Sequence, residues 1–155
     1  MIKYNYICTA LGWILISAEH QQVKSISFWD SIPACEKFND SFLDFCTGQI
    51  QDYLAGKLNK FNLGYNLGGT EFDQQVYRKV NLIPFGKVKS YEDIAVELGD
   101  KNLSRAVGNA NRRNPLPLII PCHRIIKKNG DPGGYSGGGW RKRWLLQHES
   151  KFFNN

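Results

Sequence analysis

Apolar and polar positions alternate through the first thirty residues. Tyr6, Cys8 and Ala10 recur at a spacing of two up to Leu11-Gly12, and Trp13-Ile14-Leu15-Ile16 forms a second apolar run. Glu19-His20-Gln21-Gln22 is polar, and Val23 to Phe28 is a third β-prone run. A period of two broken by polar turns predicts a small antiparallel meander over residues 3–28. The period then changes. Phe38, Phe42, Phe45, Ile50, Tyr53 and Leu54 predict an amphipathic helix over 36–55, ended by Gly56. Residues 57–69, with Gly64, Gly68 and Gly69, read as a connector and as the boundary between two lobes.

Beyond the connector the pattern is helical. Thr70 is an N-cap, and Asp73 stands three residues on as its capping-box partner. Phe72, Val76, Tyr77 and Val80 share one face of the helix that follows, which stops before Pro84-Phe85-Gly86. Ser90 with Asp93 opens a second helix, running to Leu98 and ended by Gly99. A third covers about 103–112, before Asn114-Pro115. Asn129-Gly130 is a turn signal, and residues 133–139 contain five glycines. A last helix runs from about Trp140 to Glu149 and carries the basic run Arg141-Lys142-Arg143. No internal repeat is evident. The expected class is α+β, with a small antiparallel N-terminal lobe carrying one helix and a mostly helical C-terminal lobe.

The chain of 155 residues suits one domain or two small lobes, and 42% hydrophobic and 13% aromatic residues are globular values. No apolar run approaches the roughly 18 residues of a membrane span. The N-terminus has no long apolar stretch of the secretory kind. Cys8, Cys35, Cys46 and Cys122 form no C-x-x-C pair, so a disulfide scaffold is not expected. Charge is uneven. Residues 1–75 hold five Lys/Arg against eight Asp/Glu, whereas 76–155 hold fifteen against six, giving −3 and +9. A basic half of this kind points to a polyanion, nucleic acid first; the alternative is a solvated surface without a partner.

Two segments carry candidate chemistry. The first is Leu118-Ile119-Ile120-Pro121-Cys122-His123-Arg124-Ile125-Ile126. Its apolar flanks place the thiol inside the fold. A thiol reacts as thiolate, and a neighbouring imidazole and cations lower its pKa from about 8.5. Buried cysteine is also common and inert, so this dipeptide alone decides nothing. The second segment is residues 90–112. Ala95 and Gly99, flanked by Ile94 and Leu98, have helix-turn-helix spacing. The second helix, Ser104-Arg105-Ala106-Val107-Gly108-Asn109-Ala110-Asn111-Arg112-Arg113, mixes small residues with arginines. Small side chains allow close approach to another surface, and Gly108 costs about 1 kcal/mol of helix propensity. Arginines at its ends suit phosphate contact or a wedge between bases.

Arg105-Ala106-Val107-Gly108, Asn114-Pro115, Ile120-Pro121-Cys122-His123-Arg124, Gly134-Tyr135-Ser136-Gly137-Gly138 and Trp144-Leu145-Leu146-x-His148-Glu149 occur in this order. With Gly69-Thr70-x-Phe72, Ile83-Pro84-Phe85-Gly86 and Ser90-Tyr91-x-x-Ile94-Ala95 upstream, they closely resemble the O6-alkylguanine-DNA alkyltransferases. The resemblance covers about residues 50–150; the N-terminal lobe matches only in general pattern. It implies a ribonuclease H-like structural lobe over 1–68. It also implies a DNA-binding and catalytic domain over 69–155, with a winged helix-turn-helix-like element.

The implied reaction moves an alkyl group from O6 of guanine in double-stranded DNA, secondarily from O4-methylthymine, to the protein's own Cys122. Each molecule acts once, without cofactor or metal. Cys8, Cys35, Cys46 and His20 lack tight zinc-ligand spacing. The implied roles are Cys122 as nucleophile, His123 as its base through a water, and Glu149 as the group orienting His123. A carboxylate near a helix C-terminus opposes the dipole, which argues for a specific partner. Tyr91 would donate toward ring N3, and the Ser136 N–H toward the departing oxygen. The Cys122 and Ile125 carbonyls would accept from the exocyclic amine, Tyr135 would wall the alkyl pocket, and Asn114 would tie the second helix to the cysteine segment. Arg105 would fill the gap left by a flipped base, with Ala106, Gly108 and Arg112 on the DNA-facing helix. Tyr77 stands where the family usually has tryptophan, a core exchange. A monomer in the cytoplasm, or in the nucleus of a eukaryote, with no membrane association, completes the expectation. The rivals are a thiol hydrolase, which turns over, and a lesion sensor, which lacks the reactive cysteine.

Overall fold

The structure is a computed structural model describing residues 1–153, which fall into two compact units, 1–67 and residue 68 onward. The first unit is a meander of β1 (Lys3–Thr9), β2 (Gly12–Glu19) and β3 (Gln22–Trp29), with α1 (Ser41–Leu54) packed on β1 and β2. Both strand pairs are antiparallel, in the order β1-β2-β3. Leu11, Ile14, Ile16, Val23, Leu43, Cys46 and Ile50 have no exposed surface and form its core. The alternating pattern of residues 3–28 is therefore realised as expected. The helix starts later than its apolar period suggests, at residue 41, not 36. Asp40 accepts from the Phe42 and Leu43 N–H groups, and an N-cap residue has extended backbone that closes the helix upstream. Gly56 ends the turn with φ +78°.

The second unit contains α2 (Glu71–Asn81), β4 (Lys89–Ser90), α3 (Tyr91–Glu97), α4 (Ser104–Arg112), β5 (Ile125–Ile126) and α5 (Gly139–Phe153). Full capping boxes open α2 (Thr70 with Asp73) and α3 (Ser90 with Asp93). Gly99, φ +107°, follows α3 and makes the turn toward α4. This is the helix-turn-helix that the spacing of Ala95 and Gly99 predicts. Tyr77 is buried, and its hydroxyl donates to the Ala110 carbonyl at 3.0 Å, tying α2 to α4. Two features differ from the sequence pattern. α5 extends to Phe153, so Glu149 sits a turn inside it. The short parallel ladder of β4 with β5, Lys89 beside Ile125 and Ser90 beside Ile126, was not expected. It holds the start of α3, and so Tyr91, beside the cysteine segment. No helix among the described residues is long and apolar enough to cross a membrane.

Candidate active site

Residues 114–124 are a clamped loop. Asn114 Oδ1 accepts from the Leu116 N–H at 2.9 Å, and its Nδ2 donates to the Ile120 carbonyl at 2.9 Å. The Ile120 N–H closes the loop onto the Leu116 carbonyl at 2.8 Å. Leu118 inside it has φ 78°, which a branched side chain adopts only when its surroundings impose it. The loop delivers Cys122, His123 and Arg124 as one buried 3-10 turn. Asn114 thus ties the Arg112–Arg113 end of α4 to the cysteine segment, and its side chain is also within hydrogen-bond contact of the thiol.

His123 has no exposed surface, and its Nε2 lies 2.7 Å from Glu149 Oε2. Glu149 Oε2 also accepts from Arg124 Nη2 at 2.9 Å. Its Oε1 accepts from Arg124 Nε at 2.8 Å and from the Gly86 N–H at 3.2 Å. Arg124 in turn donates through Nη1 to the Ile83 carbonyl at 2.7 Å. The Ile83-Pro84-Phe85-Gly86 turn therefore supports the carboxylate from behind. Burial alone would raise the Glu149 pKa, but the His123 and Arg124 hydrogen bonds and charges outweigh it and hold the carboxyl far below the usual range. Burial holds His123 below its ordinary value despite Glu149, so its ring is neutral near pH 7. A neutral ring donating through Nε2 keeps a lone pair on Nδ1, which is the form a base needs.

The thiol departs from the sequence expectation. Burial pushes the Cys122 pKa up; Asn114, Lys142 and Tyr135 offset this only in part. The adjacent Arg124 does not serve the thiol, because Glu149 and Ile83 take its guanidinium. The cation that does is Lys142. Part of the basic run Arg141-Lys142-Arg143 in the sequence, it is fully buried, Arg141 is 5% exposed, and only Arg143 is on the surface. The one available signal was helical spacing: Lys142 shares a face with Leu145 and Glu149, both buried. Asn111 was also missed as a site residue; its Nδ2 donates to the Cys122 carbonyl at 3.1 Å. The Ile125 carbonyl accepts from Lys142 Nζ at 2.5 Å. Of the two carbonyls assigned to a substrate amine, that of Cys122 thus already accepts from the Asn111 side chain and from the Ile125 N–H, and that of Ile125 accepts from Lys142.

A cavity of about 360 Å³ opens between α4 and the 133–136 loop, within the usual range for a small-ligand site. Tyr91, Arg105, Gly108, Arg112, Tyr135 and Ser136 are among its walls. The Tyr91 ring is wedged between two glycines. A Cβ on Gly108 would stand 3.7 Å from the ring, and one on Gly133 only 3.0 Å from the hydroxyl. Gly108 therefore faces inward to Tyr91 as well as serving the helix surface. Arg105 and Arg112 are exposed, and Ala106 is half-buried. Tyr135 reaches both the cavity and the thiol. Of the sequence-predicted set, Tyr91, Arg105, Gly108, Arg112, Tyr135 and Ser136 line the cavity, and Tyr135 links it to Cys122. Cys122, His123, Glu149, Ile125, Asn114 and Ala106 are not among its walls.

A buried cysteine with a histidine–carboxylate pair, beside a base-sized cavity under an arginine-bearing helix-turn-helix, defines a thiol-dependent protein acting on nucleic acid. Residues 71–151 match the family described as 6-O-methylguanine DNA methyltransferase, DNA binding domain. A methylated-DNA–protein-cysteine methyltransferase of Methanosarcina acetivorans is 35% identical over 151 residues, covering 94% of this chain and 97% of that protein. The crystal structure of the Mycobacterium tuberculosis O6-methylguanine methyltransferase matches with a TM-score of 0.88 at 32% identity, covering 97% and 94% of the two chains. A structure of the tuberculosis protein in complex with DNA matches with a TM-score of 0.87 at 32% identity, over 97% and 94%. The chain belongs to the methylated-DNA–protein-cysteine methyltransferase family.

Proposed function

We propose that this protein repairs double-stranded DNA by moving the alkyl group of an O6-alkylguanine, secondarily of O4-methylthymine, onto Cys122 in a single turnover. The observation that carries the reading is the buried Cys122–His123–Glu149 arrangement beside the 360 Å³ cavity. The helix-turn-helix meets the duplex, and the damaged base is flipped into the cavity. Arg105 fills the gap it leaves. Ala106, Gly108 and Arg112 lie along the same helix.

The chemistry then needs three things. Cys122 must lose its proton, and because burial raises its pKa the proton goes to the neutral His123, through a water, with Glu149 holding the ring. Sγ then forms its bond to the alkyl carbon as the carbon–O6 bond breaks. The departing purine must be stabilised: Tyr91 donates toward ring N3 and the Ser136 N–H toward the oxygen. The exocyclic amine donates to the Cys122 and Ile125 carbonyls, sharing the first with its two protein donors, and Tyr135 walls the alkyl group. The thiol proton ends on guanine, so the sum is thioether plus guanine, with no cofactor or metal consumed. A thioether is not hydrolysed, so the protein stops after one event.

Residues 69–155 carry this work, and the ribonuclease H-like lobe, 1–68, is structural. The protein acts as a monomer, without membrane association, in the compartment holding the genome: the cytoplasm, or the nucleus of a eukaryote. The test is intact mass after mixing with duplex DNA containing O6-methylguanine. One methylene equivalent per protein, mapped to Cys122 and absent in Cys122→Ser, is expected. Sustained product formation without a mass gain would overturn the reading in favour of hydrolysis.

A further inference from the structure

Lys142 is the fully buried cation of the unit, and the steps above use it for nothing beyond its charge near Cys122. An ammonium taken out of water persists only when every N–H finds an acceptor. Lys142 Nζ has three: the Ile125 carbonyl at 2.5 Å, the Gly134 carbonyl at 3.1 Å and the Tyr91 hydroxyl oxygen at 3.5 Å. An ammonium has three protons and no lone pair. The direction of its contact with Tyr91 is therefore settled: Lys142 donates and the phenol oxygen accepts. The Tyr91 proton must point elsewhere. The ring is held between Gly108 and Gly133 and forms part of the cavity wall, so its free direction is the cavity. With all its protons engaged, Lys142 has none to give the base itself.

We propose that Lys142 is a positioning residue for Tyr91: its ammonium fixes the Tyr91 hydroxyl as a donor aimed at the alkylated base, and its charge strengthens that donor as the purine departs. This rests on the reading of Tyr91 given above. The same contact has a built-in sign. If Lys142 loses its proton, its amine gains a lone pair, becomes an acceptor and draws the Tyr91 proton away from the cavity. Burial lowers the Lys142 pKa to about 8, with Cys122 opposing. The titratable groups facing it are Tyr91 on α3 and Cys122 and His123 on the 3-10 turn.

The test uses full-length protein and duplex O6-methylguanine DNA, comparing wild type, Tyr91→Phe, Lys142→Met and the double variant in single-turnover rate. A hydrogen bond to developing charge makes the Tyr91→Phe loss about 10- to 100-fold. Lys142→Met is expected to lose a similar factor, and the double variant no more than the slower single, because both remove the same donor. Losses that multiply would overturn the inference while leaving the alkyl-transfer reading standing. If Tyr91→Phe were as fast as wild type, the Tyr91 assignment would fall and this inference with it. Should Lys142→Met not fold, the pH series of wild type and Tyr91→Phe decides instead. Their rate ratio cancels the shared titration of Cys122 and His123, and is expected to fall toward one as pH rises through about 8. A ratio constant from pH 7 to about 9.5 would overturn the inference.

Discussion

Glu149→Gln probes the network that holds His123. Each carboxylate oxygen receives two buried donors: Arg124 Nε and the Gly86 N–H on Oε1, His123 Nε2 and Arg124 Nη2 on Oε2. Glutamine keeps the shape but offers one oxygen. Its NH2 must face two donors wherever it is placed, and the Arg124 charge is left without a counter-ion at 7% exposure. Removing one partner of a buried, hydrogen-bonded ion pair costs about 3–5 kcal/mol. For a chain of this size each kcal/mol lowers Tm by about 2–4 °C, so a fall on the order of 10 °C is expected. With the ring no longer oriented by a charge, transfer should slow by about 100-fold or more. The pH dependence has a definite sign. The Glu149 pKa lies below its unfolded value near 4.5, so its stabilisation is full above that pH and is lost on acidification below it. Wild type should lose stability more steeply than the variant under acid. His123, also depressed, adds a loss as pH falls below its unfolded value near 6.5. Thermal and urea unfolding across pH 3–8, with quenched single-turnover rates, measure all of this. A variant melting within about 1 kcal/mol of wild type would place the network no higher than a surface pair and refute the reasoning.

The other predictions are simpler to state. Arg105→Ala should slow repair within a duplex while reacting nearly normally with free O6-benzylguanine, which needs no flipping, provided the cavity admits it. Equal slowing on both would make Arg105 a pocket or folding residue. Gly86→Ala should lower stability by about 1–3 kcal/mol, because φ is +80° and a Cβ would stand 2.5 Å from the Phe153 ring. An unchanged denaturation midpoint would contradict that packing.

Elements whose causes are local could be read from the chain. Strand alternation over 3–28, the caps Thr70–Asp73 and Ser90–Asp93, and the turn at Gly99 involve residues within a few positions of one another. Local physics is sufficient for them. The identities of Cys122, His123, Tyr91, Arg105 and Glu149 as a set came from ordered motifs, which record chemistry without recording who touches whom. Only the tertiary structure decided the rest. Arg124 abandons its neighbour Cys122 for a carboxylate 25 residues on, and Gly86 donates to the same carboxylate across 63 residues. The β4–β5 ladder is two residues long, too short to leave a periodic trace. The apolar flanks of Cys122 already place the thiol inside the fold, but only the structure shows that burial outweighs the neighbouring charges and pushes its pKa up. Lys142 makes the same point. In a run of three basic residues it looks solvated, yet its ammonium is held by the Ile125 and Gly134 carbonyls, and whether a lysine meets water or carbonyls is set by what the folded chain brings opposite it.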